Sequence, residues 1–217
     1  MPEPFKPDTF WRSTPALCSE AIAPWLRDRG SLTQRIQRRC QHFEVLEVRS
    51  SLCCIAREEA LLLGVAARRL AWSREVFLYA DGVPVIYAHS ACARRHLRGA
   101  WQALSGLGDR PLGALLFSHP QVERRPLHYK ALGRTHPLCR QALAKLEGAP
   151  DKLWARRSLF ILHEAPLLVT EVFLPGIVKL VPCPANIFGR DTPNSRSCRV
   201  RLGTRFDDSI EIIRRSG

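Results

Sequence analysis

"LWARRSLFILHEAPLLVTEVFLP", residues 153–175, decides the fold. Two runs rich in β-forming residues flank "HEAP" (163–166), which reads as the turn of a long hairpin. Side chains alternate along a strand, so Leu167, Val169, Glu171 and Phe173 fall on one face of the second run. Leu168, Thr170, Val172 and Leu174 fall on the other, and neither face is a solvent face. Glu171 nevertheless sits in the middle. A carboxylate in such a place is costly unless it is protonated, hydrogen-bonded or paired.

A second hairpin, "SREVFLYADGVPVIYAHSAC" (73–92), turns at the Asp-Gly step of "ADGVP". "HFEVLEVRS" (42–50) alternates well enough for a strand, and "QVERRPLHY" (121–129) reads as one weakened by Pro126. Helices are expected near "LCSEAIAPWLRD", where Pro24 breaks or caps the helix, and over "GSLTQRIQRRCQ" (30–41), with Ser31 or Thr33 as N-cap. Two more are expected: "RRHLRGAWQALSGLG" (94–108), ended by glycine, and a short one in "PLGALLFS" (111–118) with Pro111 at its first position. Strands joined by hairpins, with helices at the start and middle, give an α+β fold. It is one antiparallel sheet of about six strands with helices covering one face. Residues 1–178 form the domain, and 179–217 read as a basic appendage, disordered or loosely packed.

The chain of 217 residues is 46% hydrophobic, enough for a sizeable core, and carries a formal charge of +13. Nucleic acid, an anionic membrane surface and anionic small molecules all suit that charge. The arginines are dispersed along the chain, not gathered in a tail or stripe, which argues against dedicated nucleic-acid binding. "MPEPFKPDTFW" lacks the pattern of a signal peptide, and "ALLLGVAA" (60–67) is too short to span a bilayer, so a cytoplasmic protein is expected. Eight cysteines include no CxxC pair, while "CQH" (40–42) and "HSAC" (89–92) stand isolated, so no metal is expected and the thiols read as reduced. Neither a Gly-rich phosphate loop nor a nucleophile partner for His89, His119, His128 or His163 is present.

Arg74 shares a strand face with Val76 and Leu78, and antiparallel pairing can bring it and Glu171 towards one pocket. An arginine binds carboxylates in a bidentate, charge-assisted way. Two readings stay open from the pattern alone: a binding site, or a structural ion pair between the two. Arg156 and Arg157 of "WARRS" fall at a strand start where solvent is expected.

"WSREVFLYADGVPVIYA", "PLGALLF", "LWARRS" and "PLLVTEVFLP", in this order and spacing, resemble the chorismate pyruvate-lyase family over roughly residues 10–175. The resemblance implies an antiparallel sheet with helical flaps closing over an internal site. It also implies cofactor-independent conversion of chorismate to 4-hydroxybenzoate and pyruvate, the first committed step of ubiquinone synthesis. The family's substrate-binding arginine matches Arg74 and its buried glutamate matches Glu171, the two residues given catalytic roles. A leucine acting through its backbone matches Leu112, and a contact that is often methionine matches Leu32. The implied partner is chorismate alone, bound by a monomer without nucleic acid or a membrane span. The alternative reading is a non-catalytic small-anion-binding module related to repressor effector domains.

Overall fold

The computed structural model describes residues 11–181, apart from 67, 147 and 149, and the described residues lie in one compact unit. Of the expected appendage, everything from 182 onward lies outside the described residues. The chain runs through α1 (Ala23–Arg27), α2 (Leu32–Gln37), β1 (Phe43–Cys53), α3 (Arg57–Leu62), β2 (Ala71–Ala80) and β3 (Val83–Ala93). It continues through α4 (Leu112–Ser118), β4 (Glu123–Arg124), β5 (His128–Gly133), α5 (Pro137–Leu143), β6 (Lys152–Leu162) and β7 (Ala165–Phe173). All strand pairs are antiparallel, in the order β1-β2-β3-β7-β6-β4, with β5 also pairing with β6.

Both hairpins turn through two residues of positive φ: Asp81 (49°) with Gly82 (78°), and His163 (47°) with Glu164 (62°). Left-handed conformation at both central positions matches the right-handed twist of the flanking strands. Asp81 also ties its turn to the chain before β1, its Oδ1 accepting from the backbone N–H of Gln41 at 2.9 Å and of His42 at 2.8 Å.

Helices cover both faces of the sheet, not one as expected. On the front, Trp25 and Leu26 of α1 and Leu32 and Ile36 of α2 pack on Val76, Leu78, Ile86 and Phe173. Leu112 and Leu116 of α4 pack on Trp72, Phe160 and Leu167. On the back, Cys139 and Ala142 of α5 meet Phe77, Tyr87 and Val172, while Leu63 and Ala60 near α3 meet Ala91 and Leu168. The central strands are therefore buried on both sides, which is why neither hairpin shows a polar alternation.

Three local expectations need correction. Residues 94–108 form two 3₁₀ segments, Arg94–Arg98 and Gln102–Gly106, because Gly99 (φ −139°, ψ −119°) leaves helical geometry between them. Pro126 has no N–H to pair, so the expected strand 121–129 splits into the two-residue β4 and β5. Pro111 occupies the N-cap of α4 in extended conformation, and Leu112 takes the first helical position.

A β-bulge completes the frame. Glu47 faces Val76 and Arg49 faces Glu75, so Val48 is an extra residue in β1. Glu47 therefore points to the front and Arg49 to the back, although they are two apart. On the back, Glu75, His89, Thr170 and Arg157 form one row across the sheet. From α3, Glu59 reaches His89 Nε2 at 3.2 Å and Glu58 reaches Arg157 at 3.4 Å. Burial alone would depress the His89 imidazole, but Glu59 and Glu75 outweigh it and the pKa lies above the ordinary value.

A raised folded-state pKa contributes stability that is complete below about pH 6.5 and is lost as the pH rises through the raised value. Thermal unfolding followed from pH 6 to 9 is expected to show that loss in the wild type. His89→Gln is expected to be less stable at pH 6 and to show a flatter profile; parallel profiles would exclude the pair as the cause.

Candidate active site

A cavity of about 620 Å³, mouth included, lies between the front face of the sheet and the helices α2 and α4. Its floor consists of two rows of paired strand residues. Arg74, Ser90, Val169 and Ser158 form one, and Val76, Ala88, Glu171 and Arg156 the other. Leu32 and Thr33 roof it from α2, and Leu112, Gly113, Leu116 and Phe117 from α4. The two roof helices approach closely, since a Cβ on Gly113 would lie 3.1 Å from Thr33 Oγ1. Arg124 enters from β4 at the sheet edge.

Four charged residues line the cavity: Arg74, Arg124, Arg156 and Glu171. Arg74 is 2% exposed and its Nε donates to Glu47 Oε2 at 2.9 Å. Its Nη2 donates to the carbonyls of Gly108 at 2.6 Å and Arg110 at 3.2 Å, in the loop that leads into α4. Arg156 is fully buried; its Nε donates to Glu171 Oε2 at 2.5 Å. Its Nη1 donates to the carbonyls of Trp25 at 3.1 Å, Leu26 at 3.3 Å and Asp28 at 2.6 Å, in the chain that leads into α2. Arg124 donates through Nε to Ser158 Oγ at 3.0 Å and through Nη1 to the Arg29 carbonyl at 2.8 Å. Burial lowers the Arg124 guanidinium from its ordinary value, opposed by the nearby Glu171 carboxylate. An arginine starts so high that it stays charged.

Each cavity arginine thus anchors the entry to one roof helix: Arg74 that of α4, Arg124 and Arg156 that of α2. The α2 entry has further ties. Asp28 accepts from the Gly30 N–H at 2.7 Å and from Arg35 at 2.8 Å. Burial, which raises the Asp28 carboxyl, is outweighed by these donors and by the charges of Arg35 and Arg156, so its pKa lies below the ordinary value. Ser31 Oγ accepts from the Gln34 N–H at 3.3 Å as the N-cap of α2, one of the two expected.

All four residues singled out from the sequence, Leu32, Arg74, Leu112 and Glu171, line this one cavity. Arg74 and Glu171 are not partners of each other, because Glu47 takes the first and Arg156 the second. Arg156 was expected near solvent; it is instead buried beneath α1, whose last carbonyls need a donor. The turn takes only His163 and Glu164 of the expected four residues, and this register sets Arg156 opposite Glu171. Arg124 carries no comparable sequence signal, because the two-residue β4 has no periodicity to read, and Ser90 and Ser158 are small uncharged residues that do not stand out on β3 and β6. Among the described residues, no helix is long and apolar enough to cross a membrane.

The fold and site define an α+β protein with an enclosed cationic cavity under two short helices. The sequence model of the family described as chorismate lyase matches residues 7–181. A protein of Nitrosospira multiformis named "Probable chorismate pyruvate-lyase" is 49% identical over 171 residues, covering 78% of this chain and 95% of its own. One of Nitrosomonas europaea with the same name is 44% identical over 174 residues, covering 80% and 98%. The chain belongs to the chorismate lyase family, and so to the lyases. Among solved structures, PhnF of Mycobacterium smegmatis gives a TM-score of 0.49 at 15% identity, covering 69% of this chain and 66% of that one.

The separate anchoring of the two roof helices is testable by amide hydrogen exchange. Arg74→Met is expected to speed exchange in 112–118, and Arg124→Met in 31–37, each leaving the other segment near the wild-type rate. Equal effects of each variant on both segments would show that the anchors are not independent.

Proposed function

We propose that the protein is a chorismate pyruvate-lyase that releases pyruvate from chorismate and leaves 4-hydroxybenzoate, supplying ubiquinone synthesis as a monomer in the cytoplasm without a cofactor. The observation that carries this reading is the charge of the cavity. Three arginines and one glutamate line it, an excess of positive charge that persists when Glu47, the partner of Arg74 outside the lining, is counted, enclosed among Val, Leu and Phe side chains. Chorismate is a dianion with an apolar ring, so charge and surface both match. In low dielectric such pairing is far stronger than in water, and it disfavours neutral ligands.

The remaining donors suit that ligand. Among the described residues, Arg74 Nη1 and Arg124 Nη2 make no hydrogen bond and are available to carboxylates. Leu32 and Leu112 each stand at the first position of a helix, where the backbone N–H has no intrahelical acceptor. Both therefore offer amides to an anion, and their side chains pack the ring. Glu171 has one oxygen held by Arg156, which leaves Oε1 for the ring hydroxyl.

In the reaction the bond between the ring carbon and the enol-pyruvyl oxygen breaks. The hydrogen on the hydroxyl-bearing carbon leaves as a proton, and the released enol-pyruvyl group gains a proton on its methylene carbon to become pyruvate. Aromatisation drives the step, so the protein contributes positioning, water exclusion and stabilisation of charge on the departing oxygen. We assign Arg74 to the departing group and Glu171 to holding the hydroxyl.

Purified protein mixed with chorismate is expected to form 4-hydroxybenzoate, followed by ultraviolet absorbance. Arg74→Ala is expected to lower kcat/KM by about a hundredfold, as for a lost charge-assisted contact. No product above the uncatalysed background would overturn the lyase reading. Glu171→Gln is expected to weaken product binding while lowering kcat less than about tenfold; a loss of about a hundredfold in kcat alone would make Glu171 the base.

A further inference from the structure

We propose that Arg156 is a substrate-contacting residue: its Nη2 donates to the ring hydroxyl oxygen whose proton Glu171 accepts, so the pair selects a neutral hydroxyl. The inference rests on reading the cavity as the chorismate site, and it adds a residue and a selection rule to that reading.

Arg156 is completely buried, and its hydrogen-bonding capacity is nearly used. Nε serves Glu171 and Nη1 serves three carbonyls, but Nη2 is buried without a hydrogen-bond partner. A buried donor left unpaired is disfavoured, and one beside a cavity has a partner to gain from a ligand. Arg156 lines the cavity. Among the described residues, no other residue that lines it carries a buried polar side-chain atom without a hydrogen bond. Arg156 alone, among the described residues, combines a lining position with such an atom, and under the proposal Nη2 is directed towards the cavity.

The neighbour defines what the donor meets. Arg156 and Glu171 are directly opposed on β6 and β7, so their side chains reach the same end of the cavity. Glu171 offers an acceptor and Arg156 a donor. An atom that satisfies both must give one hydrogen bond and accept another, as a neutral hydroxyl does. A carboxylate there meets Glu171 as a like charge, and an ammonium meets Arg156 as a like charge with no lone pair to offer. A hydrogen atom leaves Nη2 and Oε1 without a partner. Sites built in this way reject analogues that lack the polar group much more strongly than apolar pockets reject a missing methylene.

Arg156 also secures the entry to α2, so its loss disturbs the roof as well as the ligand. The ratio of two dissociation constants separates the effects. In the wild type, 4-hydroxybenzoate is expected to bind about tenfold or more tightly than benzoate by titration calorimetry. In Arg156→Met and Arg156→Leu the ratio is expected to fall to about threefold or less, because the hydroxyl loses its donor. A role confined to the α2 entry would weaken both ligands alike and leave the ratio unchanged, which would overturn the proposal. A role exerted only through Glu171, which Arg156 Nε holds, would lower the ratio but leave the hydroxyl beyond reach of Nη2 in the complex, which would overturn it equally. A crystal structure of the wild type with 4-hydroxybenzoate tests the same contact should both variants fail to fold. The hydroxyl oxygen is expected within hydrogen-bond distance of Nη2, and a separation beyond about 3.5 Å would overturn the proposal. If the wild type neither converts chorismate nor binds 4-hydroxybenzoate, the lyase reading falls and this inference with it. If it does both while the ratio stays fixed, this inference alone falls.

Discussion

The pair of buried Arg156 and half-buried Glu171 holds three parts of the molecule in register. It crosses from β6 to β7, and through Nη1 it fastens the end of α1 to the sheet. Two charges removed from water gain little net stability from each other, whereas removing one partner leaves an uncompensated buried charge at a cost of roughly 3–5 kcal/mol. A well-packed apolar pair would hold β6 to β7 at least as well. The pair therefore makes more sense as part of the cavity floor, where its polarity is needed, than as cement.

The same logic extends to the other inward arginines. Arg74 fastens the entry of α4 and Arg124 that of α2, each through backbone carbonyls, while each lines the cavity. Roof and floor are thus tied by the groups suited to gripping an anion. The back of the sheet has a separate polar row, in which Glu59 and Glu75 surround His89 beneath α3. The bulge at Val48 lets β1 serve both faces, sending Glu47 to Arg74 and Arg49 to Glu75. That one extra residue separates the charge systems.

Much of this was legible in the sequence, for reasons that can be located. Asp81 and Gly82 announce a turn, and the two runs around "HEAP" announce another, so the four central strands follow. Arg74 and Glu171 came from the family resemblance together with the strand face each occupies, Leu32 and Leu112 from the resemblance alone, and all four line one cavity. What stayed hidden depends on tertiary contact. Nothing local says that α3 and α5 seal the back face, because "REEALL" and "PLCRQAL" are six and seven residues long and too short for a clear period. Arg156 was misplaced because a charge beside a strand start ordinarily meets water, and here α1 covers it. Gly99 interrupts the helix expected over 94–108.

The central claim is that an enclosed cavity lined by an excess of positive charge is matched to a dianion carrying one hydroxyl. The most direct measurement compares two unreactive ring-saturated analogues of chorismate as competitive inhibitors, one with both carboxylates free and one with a single carboxylate methylated. A charge-matched cavity requires the dianion to bind at least about tenfold more tightly, the loss expected for one charge-assisted contact. Equal affinity for the two analogues would contradict it.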